Sequence, residues 1–95
     1  MLFRSFDPAV LKTEQFEVGV LTHKKGEVWT KHYHKLGTEY NLLLKGQMII
    51  CGETIHEGEI FILEPNEVAD PVFIEDCLVL CIKTPSVPGD KYEVF

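Results

Sequence analysis

Gly26-Glu27-Val28-Trp29-Thr30-Lys31-His32-Tyr33-His34-Lys35-Leu36-Gly37-Thr38-Glu39, with Gly46 seven residues further on, is the stretch that decides how this chain is read. Residues 28–34 mix β-formers with polar residues and are bounded by Lys24-Lys25-Gly26 and Leu36-Gly37, so they predict a strand between two turns. Side chains on a strand alternate between its faces, so His32 and His34 point to one side. Glu39 opens the next expected strand, residues 38–45, and brings a carboxylate towards them. Two imidazoles and one carboxylate with open positions form a facial metal site, often one for iron. The same period puts Asn41 and Leu43 on the face of Glu39. Asn41 is therefore a candidate for holding a substrate oxygen, with a plain backbone hydrogen bond as the alternative. Trp29, Lys31 and Tyr33 fall on the face opposite His32, which assigns Trp29 to outer packing or a subunit contact.

Outward from this stretch the texture stays β. Residues 16–22 alternate. Gly46 turns the chain into residues 47–51, and Gly52-Glu53 and Glu57-Gly58 are further turns. Residues 59–63, 71–74 and 77–84 complete the clear strands, and the tail 91–95 is expected to pair at an edge. Seven or eight short strands with regular turn signals predict an all-β sandwich or barrel. Asp7-Pro8 resembles a helix start, so residues 8–15 are expected to make one or two helical turns. His23, beside Lys24-Lys25, and His56, in a turn, are expected to be exposed. Asp90 and Lys91 are assigned to surface pairing.

The chain has 95 residues, 45% of them hydrophobic and 11% aromatic, which supports one compact domain and excludes a disordered polymer. A domain this small buries only about 60–65% of its unfolded surface, and oligomerisation is a common remedy. A homodimer is therefore expected, with residues 1–15 as a possible subunit contact and 85–95 as a closing tail. The net charge of −6 and the lack of a basic patch argue against nucleic acid. No apolar run approaches the roughly 20 residues that span a bilayer. The first six residues are too short for a secretory signal, and three cysteines without a Cys-x-x-Cys pair fit the cytoplasm.

Gly26, His32, His34, Glu39 and Gly46 fill every defined position of the first motif of the cupin superfamily, and the chain resembles that family. Gly58 and Pro65 match the second motif, where Glu67 replaces a glycine, Asp70 stands at the histidine and Ile74 replaces an asparagine. The resemblance, from Gly26 to Ile74, implies a small antiparallel jelly-roll barrel, the double-stranded β-helix, with a divalent metal near its mouth. It further implies His32, His34 and Glu39 as ligands and Asp70 as a possible fourth, the alternative for Asp70 being a turn residue bonded to backbone. Two carboxylates favour manganese or iron, with zinc or nickel as further candidates. Asp70 and Glu39 are the candidate catalytic carboxylates, since a carboxylate beside a metal can take a proton from a substrate carbon. The function classes left open are a metal-dependent isomerase, lyase or dioxygenase acting on a small polar molecule, a non-catalytic binding or sensor module, and a metal-free structural dimer.

Overall fold

In a computed structural model of the chain, the residues described are 9–12, 15–29, 31–85, 89–90 and 92–93. Ten strands run in chain order: β1 (Ala9–Lys12), β2 (Glu17–His23), β3 (His32–Tyr33), β4 (Thr38–Lys45), β5 (Gln47–Ile50), β6 (Glu53–His56), β7 (Ile60–Leu63), β8 (Val72–Phe73), β9 (Cys77–Thr84) and β10 (Tyr92–Glu93). All pairings between them are antiparallel, and no helix occurs among the described residues. The expected all-β double-stranded β-helix is the fold observed.

One layer is a five-stranded sheet in the order β1-β2-β9-β4-β7. The other is assembled from the pairs β10-β3 and the trio β6-β5-β8. Gly26, Val28 and His32 stitch the second layer together by pairing with Phe73, Val72 and Ala69. Gly26 N donates to Phe73 O at 2.8 Å, and His32 and Ala69 exchange backbone hydrogen bonds of 3.0 and 2.6 Å. Between the layers lies the core: Leu43, Met48, Ile50, Ile55, Leu63, Phe73, Cys77 and Val79, with Ala69.

β4 and β9 obey the two-residue period. Glu39, Asn41 and Leu43 turn inward, as do Cys77, Val79, Cys81 and Lys83, while Tyr40, Ile62 and Ile82 share the exposed outer face. Gly46 makes the sharp exit from β4. Its φ is +95°, and a Cβ there would lie 2.4 Å from the Asp76 carbonyl oxygen. The β5–β6 hairpin has the two-residue loop Cys51-Gly52, both with positive φ, which matches the twist of the flanking strands.

Two expectations fail locally. Residues 9–12 pair with β2 as an edge strand rather than coiling, because an open sheet edge satisfies every second backbone group of so short a segment. The strand expected over 28–34 is regular only at His32–Tyr33, with a single bridge at Val28. Trp29 precedes β3, and it packs on the core, not outside it.

Candidate functional site

The two layers enclose a cavity of about 420 Å³, a normal size for a small-molecule site. Leu21, Met48, Phe61, Leu63, Phe73 and Val79 form apolar walls. His32, on β3, and His34, just past its end, reach it from the second layer, each 6% exposed, with ring centroids 5.6 Å apart. Glu39 and Asn41 reach it from β4, and Cys81 and Lys83 from the neighbouring β9. So the chain brings together four of the five residues singled out in its sequence.

The fifth, Asp70, stands apart. Ala69 and Pro71 face the cavity, so the extended backbone turns Asp70 away. Its carboxylate accepts a hydrogen bond from Cys51 N at 3.2 Å, in the β5–β6 turn. The expectation of Asp70 as a ligand or proton acceptor is thereby corrected to a role in holding that turn.

His34 is fixed from both sides. Its Nδ1 donates to the backbone carbonyl of Asp90. Its Nε2 lies 2.6 Å from Glu39 Oε2, at an angle that forms no aligned hydrogen bond. Burial alone would lower the His34 pKa, but Glu39 and the Asp90 carbonyl outweigh it and hold the imidazole above its ordinary 6.5. Burial would raise Glu39, but His34 outweighs that and holds the carboxyl below its ordinary value. Cys81 Sγ sits 3.7 Å from Glu39 Oε1, and burial drives that thiol far up, so it is no nucleophile.

Asp90, assigned to the surface by its sequence, is only 2% exposed. Its carboxylate accepts from the backbone N–H groups of Lys35, Leu36 and Gly37 at 3.0, 3.0 and 2.8 Å. It thus sets the β3–β4 loop that separates His34 from Glu39. Its partners are more than fifty positions away, and no local pattern announces them.

His23 was also expected at the surface, and it is buried on the cavity wall. It stacks on Phe73 at 4.2 Å, meets Trp29 edge-on at 5.0 Å, and its Nδ1 lies 2.7 Å from Glu27 Oε2. The signal available was the two-residue period of β2, which places Glu17, Gly19, Leu21 and His23 on one face.

Among the described residues no group of three or more His, Cys, Asp or Glu side chains is already gathered as a metal site. The donor chemistry nevertheless suits a cation. His34 Nε2 and Glu39 Oε2 converge on the cavity side, and His34 has the anchored Nδ1 typical of ligating histidines.

No family model and no curated protein matches the chain. Solved structures do. An uncharacterised conserved protein with a double-stranded β-helix domain from Klebsiella pneumoniae superposes with a TM-score of 0.82 at 20% identity, over 92% of this chain and 76% of that one. The polyketide cyclase RemF from Streptomyces resistomycificus gives 0.74 at 16% identity, over 87% and 63%. KdgF from Halomonas sp. gives 0.72 at 22%, over 81% and 74%. These likenesses show the fold, which is the cupin double-stranded β-helix.

Proposed function

We propose that this chain is a small metal-binding cupin-fold protein whose His32, His34 and Glu39 hold a divalent cation beside a cavity for a small molecule. The orientation of His34 carries the reading. With Nδ1–H committed to the Asp90 carbonyl, Nε2 faces the Glu39 carboxylate 2.6 Å away, and in the neutral ring it does so with a lone pair. Two electron-rich atoms at that separation require a positive charge, and a divalent ion supplies one. Nitrogen and oxygen donors with open positions suit manganese or ferrous iron first, and zinc or nickel next. Such an ion would polarise a ligand oxygen, or bind dioxygen if it were ferrous.

The chain's own residues supply the rest. Asp90 and the 35–37 loop keep His34 in place. Asn41 Nδ2 is buried without a hydrogen-bond partner, although the amide lies close enough to Glu39 to help hold its carboxyl down. That donor is available to a ligand oxygen. Lys83 opposes the Glu39 charge from β9, and the apolar walls exclude water. A metal-assisted isomerase, lyase or dioxygenase would use this arrangement, and the fold likeness to a polyketide cyclase is compatible with such chemistry.

One observation favours a second reading, a metal-free binding module. A proton on His34 Nε2 would also reconcile the pair, and the pKa directions of both partners favour that ion pair. Elemental analysis of untagged protein, followed by calorimetric titration with Mn(II), Fe(II) and Zn(II), separates the two. One equivalent of metal in the wild type, lost in His32→Ala and His34→Ala, is expected. Equal metal content in all three proteins would leave the ion-pair module.

A further inference from the structure

The cavity has a second polar group that the metal reading does not use. His23 lies at the end of β2, is 6% exposed and lines the cavity wall. Its Nδ1 is 2.7 Å from Glu27 Oε2. The same oxygen accepts from Trp29 Nε1, and the other, Oε1, accepts from Lys24 N at 3.4 Å. The hydrogen bond from His23, then that from Trp29, hold the Glu27 carboxyl below its ordinary value, so it is an ionised acceptor. An ionised carboxylate donates nothing, so the proton between them belongs to Nδ1. Whenever the His23 ring is neutral, this arrangement leaves a bare lone pair on Nε2, and Nε2 has no hydrogen-bond partner among the described residues. Stacking on Phe73 and the edge contact with Trp29 prevent the ring from turning away.

The walls around it are apolar: Leu21, Trp29, Phe61, Phe73 and Val79. An apolar pocket with one fixed acceptor selects molecules that carry one donor on an apolar body, because a buried donor left unpaired is penalised. We propose that His23, oriented by Glu27, is a hydroxyl-accepting site, and that the cavity takes an aromatic or alicyclic molecule bearing a hydroxyl group. The ligand O–H donates to Nε2 and the O–H bond stays intact. This deepens the small-molecule part of the proposed function and does not depend on the metal.

The test uses phenol and anisole, which share a ring and differ in the donor, with EDTA present. Trp29 is the single tryptophan and lines the cavity, so its emission reports binding. Phenol is expected to bind at least tenfold more tightly than anisole. His23→Phe, which keeps a flat ring on Phe73, should abolish the preference. Glu27→Gln, which frees the tautomer, should reduce the preference several-fold. In ¹⁵N-labelled protein, the His23 Nε2 resonance should have the shift of an unprotonated nitrogen and move when phenol is added. Equal binding of the two probes, no binding of either at 10 mM, a preference that survives in His23→Phe, or a protonated Nε2 in the neutral ring would each overturn the proposal. Because EDTA is present throughout, loss of the metal reading leaves this result untouched, and the reverse also holds.

Discussion

The backbone carbonyl of Asp90 holds the imidazole of His34, 56 residues earlier in the chain, while the Asp90 carboxylate holds the three residues that follow His34. One residue near the C-terminus thus orients a site histidine and the loop leading to Glu39.

Asp90→Ala should therefore destabilise the protein by about 2–4 kcal/mol, since it leaves three backbone donors, that of Gly37 buried, without a charged acceptor. Asp90→Asn keeps one acceptor oxygen and should lose less. Urea unfolding of the three proteins at neutral pH measures both losses.

The same carboxylate predicts an acid limb. Burial alone would raise its pKa, but the bonds from Lys35, Gly37 and Leu36 outweigh it and hold the group below 3.8. A depressed folded pKa contributes stability above the unfolded value, and that contribution disappears as pH falls through the folded value. The stability gap between wild type and Asp90→Asn should be constant above about pH 4 and close below it. A gap that is flat down to pH 2 would contradict this assignment.

Histidine titration by NMR in EDTA tests the His34–Glu39 pair. In wild type His34 should titrate above 6.5. In Glu39→Gln the largest influence left is burial, which works in the opposite direction, so the midpoint should move down. The pair's contribution is then present below the unfolded histidine pKa and lost as pH rises through the raised folded one.

Gly46→Ala should be among the most damaging single-methyl changes. The new Cβ would meet the Asp76 carbonyl oxygen at 2.4 Å and Cys77 Sγ at 2.8 Å, at a φ of +95°. Gly52→Ala has a positive φ but open space, so it isolates the backbone penalty, about 1–2 kcal/mol. Thermal unfolding should rank Gly46→Ala clearly below Gly52→Ala.

Thiol labelling of the native protein should modify Cys51 alone. Cys51 is exposed in its hairpin, whereas Cys77 and Cys81 are buried. Peptide mapping that found Cys81 labelled before unfolding would mean that the cavity opens far more widely than its walls suggest.

β4 was legible because its alternation and the glycine at position 46 are local signals, and β9 because residues 77–84 are a run of β-formers apolar on both faces. The bounds read for them, residues 38–45 and 77–84, are those observed. His32, His34, Glu39 and Asn41 were legible for the same reason, since each lies on or beside a strand with regular alternation. Trp29 was misplaced because parity counted from His32 holds only along a continuous strand, and β3 begins at His32. Asp70 was misplaced because a motif position was read without the flanking Ala69 and Pro71, which take the inward places. Asp90 was missed because its partners lie more than fifty positions away, and His23 because the Lys24-Lys25 turn beside it was read ahead of the two-residue period of β2. The strand at residues 9–12 was hidden because a proline-led start looks the same for a short helix as for an edge strand.

β9 lies at the centre of the five-stranded sheet, between β2 and β4, yet it is synthesised after every other strand of that sheet. Glu17 must wait for Lys83, its register partner 66 residues later, before the sheet can zip. Such distant pairing is slow and leaves strand edges open in the meantime. A nascent chain that has not yet released β9 from the ribosome therefore has neither a finished sheet nor a cavity. Stalled chains ending before residue 77 should be digested by protease as readily as an unfolded polymer.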